Sequence, residues 1–344
     1  MSTKDILDYA PAALKEKIIS MDEPRHRAAQ ILQWVYKKKV RDFTQMTNLP
    51  KALISKLDIA YQIGSLKCDR HATSVDGTEK YLFTLQDQQH IETVLIKENQ
   101  RKTLCISTQV GCRYGCPFCA TGLVKFNRNL TVGEIIDQCL CAEEISDTQI
   151  TNIVFMGMGE PLDNYTNVTN AIRVLNSNDC LNIGARKITI STCGIVPGIR
   201  KLNDFDFQIE LSVSLHAVNN YLRNKLVPVN RKFPLDELIS TCETYSRKKN
   251  RIITLEYLLL DNINDSMKDA NELARIAARL RAKINLIPYN SFLGMNFNSS
   301  SPSKVTAFQQ RLTQRGSKAT IRKSKGSDIS AACGQLAAGK RGRK

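Results

Sequence analysis

Three cysteines in residues 110–119 have the spacing of ligands to a reactive metal centre. They are Cys112, Cys116 and Cys119, the cysteine triad, in the pattern C-x3-C-x2-C with no fourth cysteine nearby. A structural zinc site usually takes four protein ligands, and an electron-transfer iron–sulfur cluster takes four thiolates. Three thiolates on a cubane cluster would leave one iron open to a cofactor or substrate. The pattern therefore indicates a reactive [4Fe-4S] cluster, and the alternative is a zinc site with a distant fourth ligand.

The expected compartment decides how the remaining cysteines are interpreted. The N-terminus lacks the charged and then apolar pattern of a signal peptide, and no apolar run is long enough to span a bilayer, so we expect a cytoplasmic protein without membrane contact. In that reducing compartment the eleven cysteines are not expected to form a disulfide framework. Six have no motif around them and are interpreted as ordinary apolar or surface residues: Cys68, Cys139, Cys141, Cys180, Cys193 and Cys242.

The charge of the chain points to a polyanionic partner. The formal net charge is +16 over 344 residues. Neutralisation of nucleic-acid phosphates accounts for such an excess, and solubility or a basic proteome is the alternative. The basic residues are clustered at 247–251, 311–325 and 340–344, and the last group is expected to be a tail that adds affinity without specificity.

Apolar patterning predicts an α/β protein. Residues 1–60 have helical spacing, and two apolar stretches around a polar turn predict a β-hairpin at 78–97. From residue 103 onward, six short apolar strands alternate with amphipathic helices, which predicts a parallel sheet curved into a partial (βα)6 barrel. The strands are predicted at 103–108, 152–157, 187–192, 209–215, 253–259 and 283–287, and residues 320–323 are a candidate last strand.

These patterns divide the chain into four segments. Residues 1–75 are a small helical accessory domain, and 76–97 are a hairpin extension. Residues 98–326 are the barrel core, and 327–344 are a C-terminal segment with the basic tail. Lysines 37–39 make the accessory domain a candidate RNA contact, and a solvated helix end is the alternative.

Polar and glycine-rich stretches follow several of the predicted strands. In barrels of parallel strands, functional residues lie on loops at the carboxyl ends of the strands. The cysteine triad follows the first strand, and residues 157–160, 191–194, 214–216 and Asn290 follow later strands. We therefore expect all of them around one site.

The triad in this setting resembles the radical S-adenosylmethionine (SAM) superfamily, and longer stretches narrow the resemblance. Together they closely resemble the dual-specificity RNA adenine carbon-2 methyltransferases, the RlmN family, over nearly the whole chain. The stretches are residues 33–36, 43–49, 105–112, 126–130, 155–162, 226–232 and 329–336.

The resemblance implies a substrate, cofactors and partners. The substrate would be an adenosine of 23S rRNA, and in some members also the tRNA adenosine beside the anticodon. The triad would hold one [4Fe-4S] cluster, whose open iron binds SAM and generates a 5′-deoxyadenosyl radical with one electron from an external donor. Two SAM molecules would be used per turnover, and we expect a monomer.

The resemblance also assigns the residues that act on the base. Cys333 would carry the methyl group as S-methylcysteine, and its radical would attack adenine to give a transient protein–RNA adduct. Cys105 would resolve the adduct by forming a disulfide with Cys333. Glu92 would accept the proton from carbon 2; strand alternation puts it on the same face as Val94 and Ile96. The SAM ring would comprise Gly159, Glu160, Ser191, Ser214, Leu215, His216 and Asn290.

Two departures and three rival interpretations remain. Cys193 and Ser330 stand where the family usually shows Ser and Asp, and the second departure could change the packing of the Cys333 loop.

The nearest rival is the related enzyme that methylates carbon 8 of adenine and confers antibiotic resistance; residues 126–129 and 159–162 favour the carbon-2 group. A radical SAM enzyme for a peptide or metabolite, and a non-enzymatic zinc protein that binds RNA, are the others.

Overall fold

The computed structural model describes residues 4–291 and 296–337, and the basic cluster at 340–344 lies outside these ranges. The N-terminal part is helical, with three-residue 3-10 turns at Ile6–Asp8 and Phe43–Gln45 and a π-helical turn at Gln33–Lys37. A short parallel pair, β1 with β2, joins its two ends. Its elements are β1 (Lys4–Asp5), α1 (Pro11–Ile19), α2 (His26–Leu32), α3 (Lys51–Ala60) and β2 (Tyr61–Gln62).

A ten-stranded sheet forms the rest of the framework. Its order is β14-β13-β12-β11-β10-β9-β6-β5-β4-β3, parallel from β6 to β14 and antiparallel from β6 to β3. Its strands are β3 (Lys67–Thr73), β4 (Glu79–Thr84), β5 (His90–Glu98), β6 (Arg101–Cys105), β9 (Asn152–Phe155), β10 (Ile188–Thr192), β11 (Glu210–Ser214), β12 (Thr254–Leu259), β13 (Lys283–Pro288) and β14 (Ala319–Ile321). A separate antiparallel pair, β7 (Gln109–Val110) and β8 (Arg128–Asn129), lies between β6 and β9 in the chain.

Helices connect the parallel strands, as the (βα)6 prediction requires. A capping box begins the helix after Thr131, with the Thr131 hydroxyl accepting from the backbone N–H of Glu134. The helix after Ser266 buries Leu273, Ile276 and Leu280 along one face. The helices are α4 (Val132–Ser146), α5 (Tyr165–Asn176), α6 (Val196–Leu202), α7 (Asn220–Leu226), α8 (Leu235–Lys249), α9 (Met267–Leu280) and α10 (Pro302–Gln314). None of the described helices is long and apolar enough to cross a bilayer.

The strand β3 was missed by the sequence analysis. It lies within residues 1–75, which the apolar patterning assigned to the helical segment. Nearly every residue of Lys67–Thr73 is exposed, because β3 is an edge strand held by backbone pairing with β4. An edge strand without a buried face has no period-2 apolar pattern, so nothing in its composition indicates a strand.

A buried carboxylate attaches the N-terminal helices to the barrel. Asp137 of α4 accepts hydrogen bonds from the backbone N–H groups of Ser65 and Leu66, at 2.7 and 2.9 Å, and from the guanidinium of Arg41. The Asp137 side chain is only 1% exposed. Three donors from the N-terminal region therefore depend on one acceptor from a barrel helix.

We expect Asp137→Ala to lower the free energy of unfolding by about 2–4 kcal/mol, because it leaves two backbone donors and a half-buried guanidinium without their acceptor. Urea denaturation can be followed by the fluorescence of Trp34, the single tryptophan of the chain. Asp58→Ala is the matched control, because Asp58 is exposed on α3, and its effect should stay within about 0.5 kcal/mol. Equal effects of the two substitutions would contradict the role assigned to Asp137.

Candidate active site

The cysteine triad lies on a loop closed at its base by the β7–β8 pair. Gly111 begins the loop with φ +74°, and a Cβ there would lie 2.3 Å from the carbonyl oxygen of Lys125. At Gly122 a Cβ would lie 2.6 Å from the carbonyl oxygen of Cys116. Glycine at both positions lets the two sides of the loop approach closely. The loop thus folds back on itself around the three cysteines.

The three thiols line one pocket, the triad pocket, of about 150 Å³. Burial raises the pKa of each thiol, to about 12 for Cys112. Their mutual repulsion as thiolates adds to the increase at Cys112 and Cys116. Thiols in this state bind metal only by losing their protons, so a strongly positive partner is needed to make them thiolates.

The arrangement fits a cluster with several irons. Among residues 4–291 and 296–337, no three His, Cys, Asp or Glu side chains lie close enough together to hold a single metal ion. The triad nevertheless faces one pocket, as thiolates that each bind a different iron would do. Such a cluster would be held by Cys112, Cys116 and Cys119.

Residues after β9 form one wall of the triad pocket. Gly159 has φ +95°, and a Cβ there would lie 2.5 Å from the Cβ of Gln109, so only glycine fits without displacement. The buried carboxylate of Glu160 accepts from the backbone N–H groups of Leu162, at 3.0 Å, and Cys193, at 2.7 Å. Burial raises the pKa of Glu160, and these hydrogen bonds oppose the increase. Glu160 therefore links the end of β9 to the end of β10.

The ends of β10 and β11 also line the triad pocket. Ser191 and Ser214 lie at these ends. Leu215 does not line it: its side chain is buried in the core, and its backbone N–H donates to the carbonyl of Glu256. A contact of Leu215 with a ligand in this pocket would therefore have to use its backbone.

His216 is a neutral acceptor held against the triad loop. Its backbone has φ +56°, and its Nδ1 accepts from the backbone N–H of Leu258 at 3.1 Å. Burial lowers the pKa of the imidazole to about 3, with a further decrease from Arg223. The ring of Phe118, between the second and third triad cysteines, packs edge-on against it with centroids 4.8 Å apart. The histidine thus presents Nε2–H as a donor.

A second, larger cavity adjoins the triad pocket. This thiol cavity has a volume of about 560 Å³ and is lined by both Cys105, the last residue of β6, and Cys333. Cys333 also lines the triad pocket, so it stands where the two spaces meet. Burial raises the pKa of Cys105 to about 12, and proximity to Cys333 contributes to the increase. Two thiols 228 positions apart in the sequence are therefore neighbours.

Asn290 and Glu92 lie in different surroundings from those of the other predicted residues. Asn290 lines the thiol cavity, and its buried Nδ2 has no hydrogen-bond partner in the described part of the chain. Glu92 lies in an adjacent groove, where its carboxylate accepts from the backbone N–H of Ala337 at 2.7 Å and is 3.4 Å from Nζ of Lys80. Glu92 therefore contacts the segment that carries Cys333 and does not line the thiol cavity.

The Cys333 segment is fastened at both ends. Before Cys333, Asp328 accepts from the hydroxyl of Ser74 at 2.6 Å. After it, the carbonyl of Gly334 accepts from the backbone N–H of Ala120, at 2.7 Å, beside the triad. Ser330 has φ +54°, a conformation that Asp and Asn adopt more readily, so the departure at this position falls on a strained residue.

Three residues at the site, Arg223, Glu256 and Cys193, were missed or not assigned a role by the sequence analysis, whereas Arg322 belongs to the basic cluster at 311–325. Arg223 is completely buried and donates to the carbonyls of Cys193, Ser214 and Leu215. Arg322 and Glu256 line both spaces, and Cys193 lines the triad pocket. The available signal was weak: Glu256 is the acidic residue of a strand that is mostly apolar.

Comparison with known proteins identifies the family to which the chain is similar. Residues 106–274 match the model of the Radical SAM superfamily, and residues 4–63 match that of the Ribosomal RNA large subunit methyltransferase N-terminal domain. The chain is 44% identical over 335 residues to the probable dual-specificity RNA methyltransferase RlmN of Clostridium novyi, which covers 97% of both proteins. Its identity to the corresponding protein of Thermotoga neapolitana is 45% over 334 residues, again covering 97% of both.

A solved structure agrees with the sequence matches. The crystal structure of a radical SAM methyltransferase from Sphaerobacter thermophilus has a TM-score of 0.93 and 44% identity, and the match covers 97% of this chain and 99% of that one. Membership of the superfamily implies a [4Fe-4S] cluster and SAM, which the geometry of the triad fits. The chain belongs to the RlmN family of radical SAM RNA methyltransferases.

Proposed function

We propose that this enzyme methylates carbon 2 of an adenosine in 23S rRNA, and of the tRNA adenosine beside the anticodon. The observation that carries the proposal is the shared cavity of Cys105 and Cys333, which opens onto the triad pocket. Carbon 2 of adenine is electron-poor and does not attack a sulfonium methyl group as a nitrogen would. A methyl group carried on a protein thiol next to a radical source meets this difficulty.

The cofactors would occupy the triad pocket. Cys112, Cys116 and Cys119 would hold the cluster, and Gly159, Glu160, Ser191, Ser214, His216 and the backbone of Leu215 would surround SAM, with Asn290 at the side of the thiol cavity. When bound, one SAM would supply a methyl group. A second SAM, together with the cluster and one electron from an external donor, would supply a carbon radical. The neutral His216 offers a donor, and Glu160 keeps two strand ends together around the ligand.

Cys333 would move the methyl carbon between the two spaces. Its sulfur would lose a proton and take the methyl group at the triad pocket. The radical from the second SAM would remove one hydrogen atom from that methyl group, and the resulting CH2 carbon would bond to carbon 2 of the base in the thiol cavity. The adduct would give its carbon-2 proton to Glu92 and one electron to a one-electron acceptor. Cys105, as the thiolate, would then attack the sulfur of Cys333. The sulfur–carbon bond breaks, the carbon stays on the adenine and takes a proton, and a Cys105–Cys333 disulfide forms, which an external reductant must reopen. The protein makes these steps possible by keeping both thiols in one cavity.

Glu92 would accept the proton from carbon 2. Its carboxylate is buried beside Lys80 and bound to the N–H of Ala337, three residues after Gly334. Release of that contact would free the carboxylate, while the hydrogen bond from Ala120 to Gly334 would still hold the Cys333 segment. The proposed proton transfer therefore requires the contact between Glu92 and Ala337 to open.

The basic residues around the mouth of the thiol cavity suit an RNA strand. Arg101 and Lys323 are exposed and line the cavity, and Lys325 is half-buried there beside Glu98. Lys and Arg side chains at such a mouth neutralise phosphates and position the strand without reading its sequence. A flipped base can then enter the cavity while its backbone stays outside.

Reconstituted enzyme with SAM and a reductant should produce 2-methyladenosine in rRNA and tRNA, and Cys333→Ala should abolish it while leaving about four irons per chain. Mass spectrometry of the digested RNA against synthetic standards identifies the ring carbon. Cys242→Ala is the matched control, since Cys242 is buried in α8. Formation of 8-methyladenosine would favour the carbon-8 rival, and a colourless protein with one zinc would exclude the proposed chemistry.

Cys105→Ala should accumulate a covalent protein–RNA species, because no thiol is left to break the bond between Cys333 and the carbon. Glu92→Gln should accumulate the same species, because the proton at carbon 2 is not removed. Denaturing gel electrophoresis with labelled RNA detects it, and the double variants with Cys333→Ala should show none. Normal turnover of Cys105→Ala would refute its role.

Arg322→Met should slow alkylation of Cys333 by iodoacetamide by up to about tenfold at pH 8, since Arg322 is the cation that lowers the pKa of this thiol. Cys333 is exposed to solvent within the cavity, and desolvation by the surrounding walls raises that pKa above its usual value, so alkylation should accelerate about tenfold per pH unit from pH 7 to 9. Peptide mapping reports each cysteine separately. The control is Lys323→Met at the exposed neighbour; equal slowing there would contradict the specific role of Arg322.

A further inference from the structure

Glu256 carries a buried carboxylate oxygen without a hydrogen bond. It lies on β12, is 3% exposed, and lines both the thiol cavity and the triad pocket. Its Oε1 accepts from Nδ2 of Asn285 at 3.1 Å. Its Oε2 is buried, and no group among residues 4–291 and 296–337 meets hydrogen-bond geometry with it, although the hydroxyl of Ser212 and the guanidinium of Arg322 lie near enough to stabilise the carboxylate. A buried acceptor left open in this way destabilises the protein alone and is satisfied when a ligand brings a donor.

A chain of hydrogen bonds fixes the direction of this carboxylate. The hydroxyl of Thr320 on β14 donates to Oδ1 of Asn285 at 2.7 Å. The amide of Asn285 on β13 is thereby turned so that its Nδ2 faces Glu256. Three adjacent strands, β12, β13 and β14, thus hold Oε1 in place beside the ligand space that Glu256 lines. This is a preformed acceptor rather than a mobile surface group.

We propose that Oε2 of Glu256 accepts a hydrogen bond from the exocyclic amino group of the target adenine and thereby selects this base. The inference rests on the proposed function. Of the expected ligands, the base is the one that must be oriented against Cys333, which lines the same cavity. Carbon 2 and the amino group of adenine lie on one edge of the ring, on either side of N1. A carboxylate that holds the amino group therefore also fixes carbon 2.

The geometry makes a specific prediction for Glu256→Gln. Asn285 presents a donor to one end of this side chain, so the new amide oxygen should take the place of Oε1. The amide NH2 then takes the place of Oε2 and becomes a donor. A donor in that position repels the amino group of adenine and donates a hydrogen bond to the carbonyl oxygen of hypoxanthine.

The experiment compares kcat/KM for methylation of three RNA hairpins that differ only at the target: adenosine, purine riboside and inosine. We expect the wild-type enzyme to favour adenosine over purine riboside by about 10- to 100-fold, the range for loss of one hydrogen bond to a charged group. In Glu256→Gln, the preference for adenosine over inosine should reverse. Glu210→Gln is the matched control: Glu210 lines the same cavity but is paired with Arg251, so the wild-type preference should persist.

Each outcome has a distinct meaning. An unchanged preference in Glu256→Gln, with lower rates throughout, would show a structural role and overturn the proposal. A raised KM for SAM with unchanged base preference would assign Oε2 to SAM, because Ser214 is its register neighbour on β11. If Glu256→Gln does not fold, equal wild-type rates on adenosine and purine riboside still overturn the proposal. Failure of the wild-type enzyme on every hairpin would instead contradict the proposed function.

Discussion

The buried guanidinium of Arg223 holds the ends of two barrel strands in register around the site. It donates to the carbonyls of Cys193, at 2.7 Å, and Ser214, at 3.2 Å, which follow β10 and end β11, and to Oδ1 of Asn230 at 2.9 Å. Carbonyls at the carboxyl ends of parallel strands otherwise need water or a following helix. Because one rigid, planar group serves several of them, the strand ends that face the triad pocket keep fixed positions.

The same residue contributes to the electrostatics of the site. Burial raises the pKa of all five thiols proposed to act here. Hydrogen bonds oppose the increase at Cys112 and Cys119, and cations oppose it at the other three thiols. Arg223 lowers the pKa of Cys116 in the triad, and Arg322 lowers those of Cys105 and Cys333. Each of the two spaces thus has its own buried or half-buried guanidinium. The triad needs metal to ionise fully, whereas the guanidinium of Arg322 favours the thiolate of Cys333 without a metal.

The barrel could be predicted from the sequence because its strands are buried on the outer face by helices and have short, dense apolar runs. The capping boxes at Thr131 and Ser266 further mark two of its helices. Ser191 and Ser214 line one pocket because the parallel topology places the carboxyl ends of neighbouring strands together. The position of Glu92 could not be predicted, since alternation gives the face of a strand but not which segment covers it. The donor that covers it, the N–H of Ala337, comes from 245 residues further along the chain.

The inner face of the sheet shows why an interior rich in polar groups is compatible with a stable barrel. Polar residues from several strands of the sheet line the thiol cavity. They include Thr103, Thr189, Ser212, Thr254, Asn285 and Thr320. A core that only had to be stable would fill this space with apolar side chains at crystal-like density. Hydroxyl and amide groups instead keep the space open to water, and a flipped nucleobase can exchange that water for hydrogen bonds at little net loss. Stability then comes from the outer layer, where the helices bury the opposite face of the same strands, so the two faces of one sheet serve separate purposes.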